Sequence, residues 1–412
     1  MSNTNLTVSM ITKEALRVAH EKAVFIGTLP RTYDDQYAKG GGKIGSALQI
    51  RKPNQFTRRQ GSAVMQVQDV TQRSSTLTVA TQDGVDMRFG MAELALDIDE
   101  FSKLYIQPAM QSLVSGIDGD VLQGCTKKVY NQTGAAGTIV GSSSGSIVEI
   151  HNARAKLNQY LAPKDGRKFM LDSVTMAAIA NGNKGLFLPE NQVNKAFTEG
   201  YFGRAAGADW YENERVLAHV VGGDITCQAA ANAGITDGGG SGDTCTITWD
   251  GGNVATLLAG DVFTLPKVYM CHPESKQSSG QLQQFVVITP TSTTSTVISP
   301  RVYWSGPFQN VCNATGGASV AADFNDEVPT FTGSVNTSYQ QNLMYHPEAF
   351  AFATADLPLM ANEEKCVRMN ADGLALRVWQ GPDIINDQML TRIDILYGYQ
   401  VLRPEWACRI TN

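Results

Sequence analysis

The stretch IDEFSKLYIQPAMQSLVSGIDGDVLQGCTKKVYN, residues 98–131, organises the chain. Within it Phe101, Tyr105, Ala109, Leu113, Ile117, Val121, Cys125 and Val129 form one row spaced by four, and every member is apolar. An α-helix turns once in 3.6 residues, so such a row drifts by about 40° per step. The stripe therefore winds around the helix and predicts different neighbours along its length. Pro108 has no amide proton and crowds the turn before it, which predicts a bend. Gly116 and Gly119 soften the middle. Unbroken, the segment would span about 45–50 Å at 1.5 Å per residue, a spine rather than an ordinary core helix. Asp97, Asp99 and Glu100 precede it, where carboxylates cap the positive end of a helix.

Upstream, residues 43–97 alternate with period two. In Leu77-Thr-Val-Ala-Thr81 and Val85-Asp-Met-Arg-Phe89 the bulky residues are odd-numbered. Parity then favours a hairpin with the three-residue loop Gln82-Asp83-Gly84, pairing Val79 with Met87 and Leu77 with Phe89. The earlier part carries Arg51, Lys52, Arg58, Arg59 and Arg73 and too little apolar surface for a core of its own. Such a hairpin needs a neighbour. Before it, Met10–Ile26 predicts an amphipathic helix stopped by Gly27, followed by a flexible arm ending in Lys39-Gly-Gly-Gly42. That glycine run is no phosphate loop, because Tyr37 and Ile44 stand where the motif needs Gly and Ser/Thr.

Downstream, Ile147–Leu161 reads as a helix, Phe169-Met170-Leu171 as a buried strand, and Asp172 or Ser173 as the cap of a helix to Ala180. Another helix is expected around Gln192–Gly200. Near Gly222 the composition shifts. Strand runs at 244–249, 262–269, 283–289 and 296–303 recur to about Asn336, separated by turns such as Asp237-Gly-Gly-Gly-Ser-Gly-Asp243. This predicts an inserted all-β barrel or sandwich within an α+β domain that resumes afterwards.

The chain has 412 residues, 42% hydrophobic and 17% charged, with net charge −6, which suits a globular protein of two or three domains. Residues 1–60 carry ten Lys and Arg against four Asp and Glu, whereas residues 222–336 carry three against nine. The acidic balance argues against nucleic-acid binding as the main role, and the split suggests two surfaces with different partners. No apolar run is long enough for a membrane span and no signal peptide is evident, so a cytosolic product is expected. Seven scattered cysteines without a CxxC motif read as free thiols.

Chemistry-bearing motifs are weak. Gly141-Ser-Ser-Ser-Gly145 matches the nucleophile-elbow pattern around Ser143, but no apolar strand leads into it, so a loop is the simpler reading. Cys271-His272 are adjacent on a strand and point to opposite faces. Cys227, Cys245 and Cys312 match no zinc spacing. No catalytic, cofactor-binding or metal residue is assigned, and no cofactor is expected.

The order of basic arm, long β excursion, spine helix, α+β domain, all-β insert and α+β return resembles the major capsid (coat) protein of tailed bacteriophages, with the Hong Kong 97-type capsid fold. The similarity is greatest to the short-tailed-phage branch that carries an inserted domain. It rests on Gly203-Arg-Ala-Ala-Gly-Ala-Asp-Trp-Tyr-Glu-Asn213, Gly260-Asp-Val-Phe-Thr-Leu265 with Cys271-His-Pro273, Leu343-Met-Tyr-His-Pro-Glu-Ala-Phe350, and Arg392-Ile-Asp-Ile-Leu-Tyr-Gly398 with Leu402-Arg-Pro-Glu405. Ala208 departs from the Phe common in relatives.

The resemblance implies an N-terminal arm (1–42), an extended β loop (43–97), a spine helix of the peripheral domain (98–131), and an axial domain beginning at 132–221. The all-β insert would occupy 222–336 and the axial and peripheral return 337–412. It further implies self-assembly into pentamers and hexamers of an icosahedral shell around double-stranded DNA, with a scaffolding protein, a portal, and a procapsid that expands on packaging. Shells would form in the host cytoplasm and end in the virion. Arg51, Lys52, Arg58, Arg59, Arg73 and Phe89 become candidate intersubunit or scaffold contacts. No catalytic residue carries over, no chemical crosslink is expected, and an encapsulin-like nanocompartment shell of the same fold is the near alternative.

Overall fold

A computed structural model describes residues 8–32, 47–58, 61, 65, 67–68, 72–90, 102–142, 147–182, 204–222, 227–230, 235, 242–250, 254–313, 321–359, 366–371, 374–383 and 388–412. The arm's glycine run, the helix expected at 192–200, Arg59, Phe101 and Ser143 lie outside these residues. The chain divides into two compact units. Unit 1 comprises Met1–Gln49, Thr76–Leu122 and Phe350–Gln400, and unit 2 comprises Ile50–Ser75, Gln123–Ala349 and Val401–Asn412.

Unit 1 is a five-stranded sheet packed by helices. The first helix is Val8–Lys22, and Ile11, Ala15, Val18 and Ala19 are buried as its pattern requires. It does not continue to Ile26: a separate turn, Phe25–Thr28, follows and contains Gly27. The break has a physical cause. Ile26 N–H donates to the buried carboxylate of Asp118 at 2.9 Å, and the Phe25 ring packs 5.9 Å from that of Phe350.

The spine is a π-helical turn, Ser102–Ile106, leading into an α-helix, Gln107–Lys127. Pro108 sits in the first α-turn, so the wider winding just before it accommodates the missing N–H. The apolar row is buried from Leu113 through Ile117, Val121, Cys125 and Val129. A second buried row, Ile106, Met110, Val114, Asp118, Leu122 and Thr126, runs beside it. Its polar members hid it from a reading based on apolar spacing.

The expected hairpin does not form. Ser74–Thr78 pairs with Ala47–Arg51 in a two-stranded sheet, while Thr81–Gly90 is one continuous strand. That strand runs antiparallel to Gln388–Val401, with Met87 opposite Thr391 and Val85 opposite Ile393. Parity was nonetheless right: Leu77 and Val79 are buried, and Val85 and Met87 are half-buried between exposed neighbours. Gly84 serves close approach rather than a turn. A Cβ there would lie 2.7 Å from Ile393 O and 2.6 Å from Asp394 Oδ1. Gly398 likewise leaves no room, since its Cβ would stand 2.1 Å from Thr78 O.

Unit 2 holds two seven-stranded sheets. In the first, Ser338–Tyr345 is central, antiparallel to Ala407–Thr411, Lys168–Leu171 and Leu217–Val220. Helices Val148–Gln159 and Ser173–Gly182 cover it through Ile150, Leu157, Met176 and Ile179 against Phe169, Met344 and Ile410. Asp172 is the cap, its carboxylate accepting from Thr175 N–H at 2.8 Å. The second sheet is all-β and is built on the strands Cys245–Asp250, Val262–Cys271, Ser278–Pro290 and Ser295–Ser299. Its core centres on Phe263, whose ring lies 5.4–5.7 Å from those of Trp249, Phe285 and Phe331.

The chain leaves the first sheet after Leu217–Val220 and re-enters at Ser338, and these two strands are neighbours. The ladder continues past them, with Val221 N–H donating to Thr337 O and Asn336 N–H to Val221 O. A buried polar seam also fastens the all-β segment to the first sheet. Arg409 donates to Gly260 O at 2.9 Å, Lys156 donates to Gln132 O and Gln284 Oε1, and His219 meets Asp261 at 2.8 Å.

Candidate assembly surfaces

The base of the excursion is held by charge. Lys52 Nζ lies 2.6 Å and Arg73 Nη2 2.9 Å from opposite oxygens of Asp243. The backbones of the two cations are joined as well, Lys52 N–H donating to Arg73 O at 2.8 Å. The Arg73 guanidinium lies over the rings of Tyr303 at 5.5 Å and Phe308 at 5.1 Å, a geometry that favours a planar cation. Two of the candidate contact residues thus engage the acidic all-β segment of their own chain. Lys52, from the basic stretch read in the sequence, thus meets the acidic segment here, with Arg73 joining it in one three-centre ion pair.

Beyond this clamp the surface is apolar and open. Phe56 is 62% exposed, Met65 77% and Val67 79%, and the basic Arg51 and Arg58 are exposed beside them in sequence. Isolated exposed apolar side chains are ordinary, but three among the described residues of 56–67 mark a surface suited to a partner.

A second surface lies on unit 1, where Met87, Arg88, Trp379, Leu390 and Arg392 line an open groove of about 520 Å³. Phe89, another candidate contact, is opposite Met389 in the same ladder. Beneath the groove the carboxylate of Asp394 is fully buried and accepts from Arg377 Nη2 at 2.6 Å and Arg392 Nε at 2.7 Å. Burial alone would raise its pKa, but the two arginine hydrogen bonds outweigh it and hold the carboxyl below the usual range. The strand Gln388–Val401 thus carries both the pairing partner of the excursion and the charge that locks it. Its alternation of Met389, Thr391, Ile393 and Ile395 was a legible strand signal, but nothing local named its partner.

Catalytic chemistry finds no support among the described residues. His272 Nδ1 accepts backbone N–H groups from Glu274 and Ser275, so the imidazole organises a turn. Burial pushes the Cys271 thiol up to about 11, away from the thiolate a nucleophile needs. All seven cysteines are free, and no cluster of His, Cys, Asp or Glu among the described residues could hold a metal. No described helix is long and apolar enough to cross a membrane.

A family profile described as "P22 coat protein - gene protein 5" matches residues 42–409. The chain belongs to the P22 coat protein family. Family membership bears out the resemblance read from the motif series: this is a shell-forming coat protein of the tailed-phage type, with an α+β fold. Among solved structures, it is similar to a chain from Mycobacterium phage Che8, at 10% identity over 94% of this chain and 90% of that one, with TM-score 0.48. It is also similar to the capsid of Ralstonia phage GP4, at 7% identity over 90% and 84%, TM-score 0.43. A third likeness is to the virus-like particle from Pyrococcus furiosus, at 8% identity over 98% of each chain, TM-score 0.39. No curated protein sequence matches the chain.

Proposed function

We propose that this coat protein assembles, as pentamers and hexamers, into the icosahedral shell that encloses a tailed phage's double-stranded DNA. The family match across residues 42–409 carries this reading. Assembly proceeds around a scaffolding protein into a procapsid in the host cytoplasm, incorporates a portal, and ends with expansion as DNA enters. The role is structural rather than enzymatic.

The segment around Phe56, Met65 and Val67, with Arg51 and Arg58, supplies an apolar and basic surface that burial against a neighbouring subunit would satisfy. Arg59 and Phe89 are assigned to the same contacts, whereas Lys52 and Arg73 act through Asp243 to aim the segment. The proposed domains are the arm (1–42), extended loop (43–97), spine (98–131), axial part (132–221), insert (222–336) and return (337–412). The acidic all-β insert favours the phage shell over a nanocompartment.

Expression with and without the neighbouring phage genes, followed by electron microscopy, tests the reading. Closed shells of uniform size whose formation needs a second gene product are expected. A chain that stays monomeric at every concentration, with or without those products, would overturn it.

A further inference from the structure

Unit 2 contains a cavity of about 260 Å³. The base of the excursion, the all-β segment and the turn before the C-terminal strand build most of it, and Tyr130, Tyr160 and Leu161 complete the lining. Four cations line it, Lys52, Arg73, Arg301 and Arg403, against two carboxylates, Asp243 and Glu405.

The distribution of these charges matters more than their number. Asp243 is already shared between Lys52 and Arg73. Arg301 donates to Thr244 O at 3.2 Å and to the Tyr303 hydroxyl. The Arg403 guanidinium carbon lies 4.0 Å over the centroid of the Trp406 ring, and among the described residues its guanidinium N–H groups donate no hydrogen bond. Among the described residues the lining therefore carries two more cations than carboxylates, and the Arg73 and Arg403 guanidiniums are held against aromatic faces.

We propose that this cavity is a binding site for a small phosphate-class oxyanion, a phosphomonoester or polyphosphate rather than a nucleic-acid backbone. A phosphate monoester carries close to two negative charges at neutral pH and accepts from planar guanidinium forks, so it matches the surplus in charge and geometry. The volume is just below that of drug-sized pockets, room for a phosphate group and a few waters but not for a duplex. Burial pushes the Glu405 carboxyl above the usual carboxylate range, Lys52 and Arg403 oppose that, and Asp243 adds to it. Because its walls come from distant parts of the sequence, a bound anion ties the excursion's base to the all-β segment and to residues 403–406.

Isothermal titration of the full-length protein at fixed ionic strength tests this, with inorganic phosphate, pyrophosphate and ATP as probes. A short DNA duplex at matched phosphate concentration and sodium chloride are the controls. Saturable binding tighter than about 1 mM is expected for at least one small phosphate and not for chloride. Arg403→Gln should weaken it by about tenfold or more, and Glu405→Gln should strengthen it. Arg403→Lys, which keeps the charge but loses the fork, replaces Arg403→Gln should that variant not fold, and should show a loss of several-fold. No saturable binding of any small phosphate, or affinity unchanged in the Arg403 variants, overturns the assignment. Duplex binding with the same Arg403 dependence and no small-phosphate binding also overturns it, in favour of a nucleic-acid contact.

Discussion

The two halves of the excursion at 43–97 are held by different means. Thr81–Gly90 is bound by a continuous backbone ladder to Gln388–Tyr397, with the buried Arg377–Asp394 pair beneath it and the half-exposed Arg392 bonded to the same carboxylate. Among the described residues the first half has no such ladder beyond its short pairing, and Lys52 and Arg73 hold it to Asp243 while Phe56, Met65 and Val67 face solvent. A ladder fixes register at every residue, whereas an ion pair fixes one point and leaves the remainder to be ordered by something else. The first arrangement makes a permanent part of the subunit, and the second presents a surface.

The sharpest way to break this comparison is to remove the charge under the ladder. Asp394→Ala leaves Arg377 buried without its carboxylate and should cost about 3–5 kcal/mol, read as a large fall in melting temperature. Next comes the close approach: Gly84→Val forces side-chain atoms onto Ile393 O and should cost about 1–3 kcal/mol in the same measurement. On the other half, Asp243→Ala should cost only about 1 kcal/mol but open residues 52–73 to limited proteolysis, because the clamp is lost and no ladder replaces it. The smallest effect on stability belongs to Phe56→Ser, within about 0.5 kcal/mol of the parent, with a clear loss of shell formation by sedimentation. If Phe56→Ser melted early instead, the exposed segment would be part of the subunit's own core.

Acid sharpens the same contrast. Asp394 has a folded-state pKa below its unfolded value near 4, so its stabilisation is present above that pH and is lost as pH falls through the lower, folded value. Thermal stability of unit 1 should fall below about pH 4, and Asp394→Asn should flatten that fall.

Local pattern made much of the fold legible. The apolar row of the spine, the odd-numbered parity of 77–89, the cap at Asp172 and the main strands of the all-β segment all follow from side-chain period and turn chemistry. What escaped was long-range choice of partner. Parity tells which face of a strand is buried but not against which strand, and Gln388–Val401 lies some three hundred residues from Thr81–Gly90. Gly84 carried a similar ambiguity, since a glycine serves a tight turn and a close backbone approach equally. The candidate basic residues were visible as charges, but Asp243 sat inside a turn-forming run that gave no sign of receiving two of them.

The entry and exit of the all-β segment lie side by side, joined by hydrogen bonds between Val221 and residues 336 and 337. A segment attached by two adjacent strands can be excised and the gap closed by a two-residue turn without changing the register of the sheet that bears it. In evolutionary terms it is a cassette. An ancestral subunit could acquire, lose or exchange it in a single recombination event, and an engineer could use the same junction to carry a foreign domain.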